Sequence, residues 1–317
     1  MKSKILISGS LAYDRIMNFP GYFKDNILPE KIHILNVSFF VKDLKESFGG
    51  TAGNIAYNLA LLGEKPVILA NVGKKDFTDY KKWLIKNKVD ASQIKIIPNQ
   101  QTASCYIITD QSDNQIAGFF PGAMSASYAP ASKILTVNTL AIVSPQNPID
   151  MVKLPRIFKA KKVPYIFDPG QQTASLSGPQ LKAAIVGSKV LIGNDYEISL
   201  ISKKTGWSIK QLLKKTEILI TTLGAKGSLI RQGRVTYKIS PAKPKNTCDP
   251  TGAGDAYRAG LIKGLMAGWP LEKIGKFAGL VAVYTVEKYG TQTHKFSWPE
   301  LLKRYQQNFK EELLSKK

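Results

Sequence analysis

Short apolar runs alternate along the chain with amphipathic segments, and this order predicts an α/β protein. Buried strands are predicted at Lys4–Ser8 and at residues 66–72. From about residue 139 the alternation is regular, with predicted strands at residues 140–143, 165–167, 190–192, 219–222 and 228–231. Helical patterns separate these runs, and three more follow at residues 261–267, 276–287 and 299–314. The pattern is typical of a doubly wound, mostly parallel sheet flanked by helices.

Two stretches interrupt this alternation and predict a small additional sheet. Residues 32–41 are rich in β-branched and aromatic side chains, and residues 102–110 and 115–120 alternate like a hairpin across a turn at 111–114. We therefore expect a single domain over residues 1–317, with segments of about 12–48 and 100–122 forming a lid over the functional edge of the main sheet. No internal repeat or linker divides the chain.

The formal net charge of +22 raises the question of a polyanionic partner. It would permit nucleic-acid or membrane contact, but the lysines are scattered, and no basic helix, zinc-ligand spacing or RNA-binding aromatic pattern accompanies them. A solvated surface explains the charge more simply, and we expect neither a nucleic-acid nor a membrane partner. The two cysteines, Cys105 and Cys248, form no metal or redox pair, and no apolar run reaches a membrane span, so a cytoplasmic protein is expected.

Polar side chains follow several of the predicted strands. Asp14 lies just beyond the first strand, residues 168–172 (Asp-Pro-Gly-Gln-Gln) end another, and Asn194 and Glu197 follow a third. Ligands of open α/β sheets collect at the carboxyl ends of the strands, where these residues would meet. Asn194 and Glu197 could order waters around Mg²⁺; an N-cap asparagine with a surface glutamate is the alternative.

Three glycine-containing segments are candidates for ligand binding. Residues 49–54 place paired glycines and Asn54 at a helix start, where the backbone can approach a ligand closely. Residues 221–227 (Thr-Thr-Leu-Gly-Ala-Lys-Gly) offer a hydroxyl, flexible glycines and a cation to a triphosphate. Residues 252–255 (Gly-Ala-Gly-Asp) would bring amides to an anion at a helix N-terminus, with Asp255 able to accept a proton from a substrate hydroxyl. An ordinary capped helix is the alternative for the first and the last of these segments, and for residues 49–54 taken alone it is the favoured interpretation.

Taken together, and in this order, the segments resemble the ribokinase-like (PfkB) family of sugar and nucleoside kinases. Residues 14–21, 120–124, 168–172 and 290–292 look most like its bacterial adenosine kinase branch. The resemblance implies a ribokinase-like fold with a small β-sheet lid and the chemistry of an ATP-dependent kinase. It also implies Mg²⁺, with K⁺ as a possible activator and a homodimer as a possible assembly.

The resemblance also implies a role for each matching position. Asp255 would be the catalytic base, with Gly252, Ala253 and Gly254 as the anion hole. The nucleoside would contact Ser10, Asp14, Ser38, Gly49, Gly50, Asn54, Phe119, Gln171 and Gln172. ATP would contact Asn194, Thr222, Gly224, Lys226 and Gly227, and Glu197 would hold Mg²⁺ through water.

The acceptor expected from this resemblance is the 5′-hydroxyl of adenosine. One position departs from the branch: Cys105 stands near where a second aromatic residue often lies against the purine. Tyr106 is adjacent, but neighbouring residues of a strand face opposite sides, so it is not an automatic substitute. A broader nucleoside kinase or a ribokinase-type sugar kinase is therefore the alternative, and a basic nucleic-acid-binding protein is a distant one.

Overall fold

The computed structural model describes residues 4–112 and 114–313. Its strands are β1 (Lys4–Ser8), β2 (Ala12–Asn18), β3 (Asp43–Gly49), β4 (Val67–Leu69), β5 (Asn71–Gly73), β6 (Lys95–Ile97), β7 (Ala103–Thr109), β8 (Gln115–Phe120), β9 (Thr139–Val143), β10 (Tyr165–Phe167), β11 (Ser188–Asn194), β12 (Thr216–Thr222), β13 (Ser228–Gln232) and β14 (Val235–Ile239). Its α-helices are α1 (Thr51–Leu61), α2 (Phe77–Lys86), α3 (Pro148–Ala160), α4 (Gly178–Ile185), α5 (Asp195–Thr205), α6 (Ile209–Leu212), α7 (Ala253–Met266), α8 (Leu271–Val286) and α9 (Trp298–Phe309).

The main sheet has eight strands in the order β14-β13-β12-β11-β10-β9-β1-β4. The strands from β12 to β4 are parallel, and β13 and β14 continue the sheet as an antiparallel edge. Alternate side chains of β1 point to opposite faces of the sheet and belong to two core clusters. Ile5 and Ile7 pack in the cluster that includes α1, α7 and α8, whereas Leu6 packs in the cluster that includes α3, α4 and α5. The predicted doubly wound fold class is therefore confirmed, with helices covering both faces.

A second sheet of four strands, in the order β3-β2-β7-β8, forms the predicted small sheet. The hairpin of β7 and β8 is present as expected, and β2 joins it by pairing in parallel with β7. The predicted strand at residues 32–41 was wrong: Pro29–Ile34 is a 3₁₀-helix, and the strand that pairs with β2 is β3. Ile32 and Ile34 are each 66% exposed. β-Branched residues favour a strand only when they pack against neighbours, which these lack.

Smaller differences concern element boundaries. The predicted strand at residues 66–72 is divided between β4, in the main sheet, and β5, which pairs with β6 in a separate two-stranded sheet. Strand β14 was not predicted. The last helix, expected at 299–314, is α9, and residue 314 lies outside the described residues. No helix within the described ranges is long and apolar enough to cross a membrane.

Candidate active site

A cleft of about 480 Å³ opens between the carboxyl ends of the main-sheet strands and the small sheet. It brings together residues from segments more than two hundred positions apart in sequence, as expected for an α/β sheet. The sequence-predicted residues that line it are Ser10, Asp14, Gly50, Asn54, Phe119, Gln171, Asn194, Glu197, Thr222, Gly224, Gly252, Gly254 and Asp255.

Other predicted residues lie beside the cleft or away from it. Gly49 is not in the wall, but a Cβ there would come within 2.2 Å of Asp14 Oδ2, so the glycine makes room for that carboxylate. The lining also omits Ala253, Gln172, Lys226 and Gly227. Ser38 is exposed in the segment after the 3₁₀-helix, and the structure does not bring it to the cleft.

The start of α7 forms one end of the cleft. Gly252 is its N-cap residue, with a φ of 78° that favours glycine, and an added Cβ would lie 2.8 Å from Thr291 Cγ2. The preceding loop is held by Asp249, which accepts hydrogen bonds from the backbone N–H groups of Thr251 and Gly290. The first N–H groups of a helix have no intrahelical acceptors, so this end of the cleft suits an anion.

Asp255 lies in the first turn of α7, and its Oδ2 accepts a hydrogen bond of 2.8 Å from Asn54 Nδ2. Burial raises the pKa of Asp255 to about 7, against the opposing effects of the Asn54 hydrogen bond and the Arg258 charge. Asp168 and Asp14 raise it further. A carboxyl group with a pKa near neutrality can take a proton and release it again, as a general base must.

The small sheet contributes one row of side chains to the cleft. Asp14 on β2 pairs with Cys105 on β7, and Cys105 pairs with Phe119 on β8, so all three share a face. Burial, together with the charge of Asp249, raises the pKa of Asp14 to about 6. Tyr106 faces the opposite side, where its hydroxyl accepts a hydrogen bond of 3.0 Å from Arg15. Cys105 therefore has no aromatic substitute in this row.

A buried ion pair that the sequence did not indicate supports the base. Arg258, one helical turn beyond Asp255, donates from Nε and Nη2 to the two carboxylate oxygens of Asp168, each at 2.8 Å. The pair ties the end of β10 to the start of α7, and Arg258 Nη1 also donates to the carbonyl oxygen of Gly254. The spacing of Asp255 and Arg258 was a usable signal, because residues three apart share a helix face.

Asn194 and Glu197 cap α5 by reciprocal hydrogen bonds. Asn194 Oδ1 accepts from the Glu197 backbone N–H and Glu197 Oε2 accepts from that of Asn194, both at 2.7 Å. Both residues nevertheless face the cleft, so capping and ligand contact are compatible. Thr222 at the end of β12 stands next to Asn194 in register, and the turn beyond it bends at Gly224, which has a φ of 57°.

A larger cavity of about 940 Å³ lies elsewhere and shares no lining residue with this cleft. Its wall is rich in lysine, and both of its carboxylates are engaged: Glu287 accepts from Arg304, and Glu300 accepts from the Ser297 backbone N–H. Against the effect of burial, Arg304 lowers the pKa of Glu287. Ser297 lowers the pKa of Glu300, whereas the pKa of Asp255 is raised, so both carboxylates are weaker bases than Asp255. The smaller cleft, with Asp255, is the candidate active site.

The large sheet, the small sheet and the cleft between them define a ribokinase-like α/β fold. Residues 11–298 match the pfkB family carbohydrate kinase model, and the chain belongs to that family. It is therefore a phosphotransferase that acts on a hydroxyl group.

Named relatives cover nearly the whole chain. A nucleoside kinase of Methanothermobacter thermautotrophicus is 30% identical over 95% of each chain. The structure of Burkholderia thailandensis nucleoside kinase in complex with inosine is 35% identical, with a TM-score of 0.86 over 97% of this chain and 99% of that one. The same enzyme in complex with ADP-inosine gives a TM-score of 0.83 at 35% identity, over 97% of each chain.

Proposed function

We propose that this protein is an ATP-dependent nucleoside kinase that transfers the γ-phosphoryl group to the 5′-hydroxyl, with Asp255 as the general base. The observation that carries the proposal is the juxtaposition, in one cleft, of a carboxyl group with a pKa near 7 and the N-terminus of α7. The first can accept the hydroxyl proton, and the second can stabilise the charge of the transferred group. The names of the relatives support a nucleoside as the acceptor.

The reaction needs the acceptor oxygen to meet the γ-phosphorus in line with the bond that breaks. The new bond forms from that oxygen to phosphorus, the bond to the β-phosphate oxygen breaks, and ADP leaves. Asp255 takes the hydroxyl proton. The N–H groups of residues 252–254 would donate to the transferring group, and Asp14 and Asn54 would hold the ribose hydroxyls.

Mg²⁺ is expected with ATP, and the residues present fit an ion held largely through water. No group of three or more His, Cys, Asp or Glu side chains in the described ranges is arranged to bind a metal directly. Burial raises the pKa of Glu197, and its Oε2 is engaged in the α5 cap. Glu197 and Asn194 would orient the hydration shell of the ion, which would neutralise charge on the ATP phosphates when bound.

Adenosine is the acceptor that we propose first, since Phe119 offers an aromatic face to a purine. A wider range of nucleosides is the second candidate, and the observation that favours it is Cys105. This small side chain stands opposite Phe119, so the nucleobase would have only one aromatic contact, Phe119, from this row of side chains on the small sheet.

The test is ADP release with Mg²⁺-ATP against adenosine, inosine, guanosine, cytidine, ribose and fructose 6-phosphate. Turnover with adenosine alone would support the narrow proposal, and turnover with several nucleosides would support the wider one. Turnover with only the sugars would contradict both, as would no turnover with any acceptor above the release seen with ATP alone.

A further inference from the structure

A partly buried chain of hydrogen bonds runs from α2 to the proposed base. Trp83 Nε1 donates to Gln292 Oε1 at 2.9 Å, Gln292 Nε2 donates to Asn54 Oδ1 at 3.1 Å, and Asn54 Nδ2 donates to Asp255 Oδ2 at 2.8 Å. Gln292 is only 3% exposed, and neither it nor Trp83 lines the cleft. The chain joins residues that are far apart in sequence and touches the candidate site only at its last two members.

The direction of this chain is fixed by its first member. An indole N–H can only donate, so the atom of Gln292 that faces Trp83 must be its oxygen. The Gln292 amide nitrogen is then turned towards Asn54, and the atom of Asn54 that receives it must also be an oxygen. The Asn54 nitrogen is left facing Asp255. Reversing Gln292 would place two donors together at Trp83 and two acceptors together at Asn54.

A second contact secures Gln292 but leaves Trp83 in control of its orientation. Gln292 Nε2 also donates to the Tyr80 hydroxyl at 2.8 Å, and that hydroxyl donates to the Gly49 carbonyl oxygen at 2.7 Å. A reversed Gln292 amide would require this hydroxyl to turn away from Gly49 and donate to Gln292 instead, which its rotation allows, whereas an indole N–H cannot accept at all. Tyr80 is therefore the weaker constraint on the amide and provides a comparison within the same cluster.

We propose that Trp83 and Gln292 are positioning residues that fix the Asn54 amide so that it keeps a hydrogen-bond donor on the Asp255 carboxylate. The inference rests on the proposed function, in which Asp255 must be ionised to act as a base. A hydrogen-bond donor beside a carboxylate stabilises the charged form of the carboxylate. The opposite orientation of Asn54 would place its amide oxygen next to the Asp255 carboxylate and destabilise that form. Loss of the Trp83 N–H would free the amides to turn and make the base harder to ionise.

The main test compares Trp83→Phe with Tyr80→Phe by the pH dependence of kcat. Trp83→Phe keeps an aromatic ring beside Phe48, whose ring centroid lies 5.7 Å from that of Trp83, but it removes the donor. We expect the acid limb of the kcat–pH profile of Trp83→Phe to move to higher pH by about one unit. At pH 6 kcat would then be roughly tenfold lower than in wild type, and at pH 9 nearly normal. The nucleoside KM is also expected to rise, because Asn54, which would hold the ribose hydroxyls, is freed to turn. The pH profile of kcat is therefore the diagnostic readout. Tyr80→Phe should move the acid limb by clearly less than Trp83→Phe does, even if it lowers Tm, because its hydroxyl is the weaker constraint on Gln292.

Gln292→Met tests the middle of the chain and should shift the acid limb like Trp83→Phe. The double variant should shift it no further, since both changes break one path. A wild-type acid limb in Trp83→Phe, or an equal shift in Tyr80→Phe, would overturn the proposal.

A measurement that does not need turnover separates this inference from the proposed function. The Asp255 carboxyl can be titrated by ¹³C NMR in protein labelled at aspartate, with Asp255→Asn used for assignment. A higher Asp255 pKa in Trp83→Phe than in wild type and Tyr80→Phe would support the positioning role even if no acceptor were phosphorylated. An unchanged pKa would refute it.

Discussion

Replacing the proposed base, Asp255→Asn, should have opposite effects on turnover and on stability. The asparagine keeps the shape of the side chain and an oxygen that can accept the Asn54 hydrogen bond. It cannot accept a proton, so kcat should fall by about 10²–10⁴-fold, which is the usual contribution of a general base. The dissociation constant of the nucleoside should change by no more than about threefold.

The stability effect follows from the raised pKa. Burial shifts the pKa of Asp255 from 3.8 to about 7, so the folded protein binds this proton more tightly than the unfolded chain does. Stability conferred by the protonated form is therefore complete below about pH 4 and is lost as the pH rises to 7. About three pKa units at about 1.4 kcal/mol each give an upper bound of about 4 kcal/mol. The neutral asparagine should recover part of it and raise Tm at pH 8 by roughly 2–8 °C.

The assays are steady-state kinetics, nucleoside binding by calorimetry and thermal unfolding at pH 5 and pH 8. The matched control is Asp195→Asn, an exposed first-turn aspartate of α5, which should leave all three measurements near wild type. The stability gain should shrink at pH 5, where Asp255 itself is largely protonated. Turnover within tenfold of wild type, or a Tm at pH 8 below wild type, would refute the reasoning.

Two further predictions concern the small sheet. Cys105→Phe should raise kcat/KM for adenosine relative to cytidine by about 2–10-fold, because an aromatic contact adds roughly 0.5–1.5 kcal/mol. Tyr106→Phe, on the opposite face of the sheet, should leave this ratio unchanged. An equal change in both variants would contradict the assignment of faces. Gly49→Ala should raise the nucleoside KM by about tenfold or more, because its Cβ would displace the Asp14 carboxylate. The control, Gly118→Ala on β8, places its Cβ in open space and should leave KM unchanged. Normal KM values in both variants would show that Asp14 does not hold the nucleoside.

The sequence predicted those parts of the fold that depend on local pattern. Buried strands such as β1 and β10 were readable because parallel strands covered on both faces are continuous apolar runs. Residues at strand ends and at glycine-rich helix starts met in one cleft for the same topological reason. The strand predicted at residues 32–41 was wrong: Ile32 and Ile34 carry β propensity but are exposed on a 3₁₀-helix, and Phe39 packs against Phe19 and Phe23 outside any strand.

Other parts of the site depend on contacts that no local pattern encodes. Trp83 and Gln292 are 209 positions apart, and nothing near either residue predicts that they share a hydrogen bond. The partner of Arg258 is 90 positions away, directly after β10, so the ion pair beside Asp255 appears only in the folded chain. Arg258 and the Asn54 amide lower the pKa of Asp255 against the larger effect of burial, and this balance depends on contacts that the sequence does not show.

The most direct test of the account is to identify the product formed from adenosine and γ-labelled Mg²⁺-ATP. We predict that wild-type protein yields ADP and adenosine 5′-monophosphate carrying the label, as seen by ³¹P NMR and mass spectrometry. Asp255→Asn at equal concentration should give about 10²–10⁴-fold less. Label found only in inorganic phosphate, on another hydroxyl, or in equal amounts of 5′-product from both proteins would contradict transfer to the 5′-hydroxyl by Asp255.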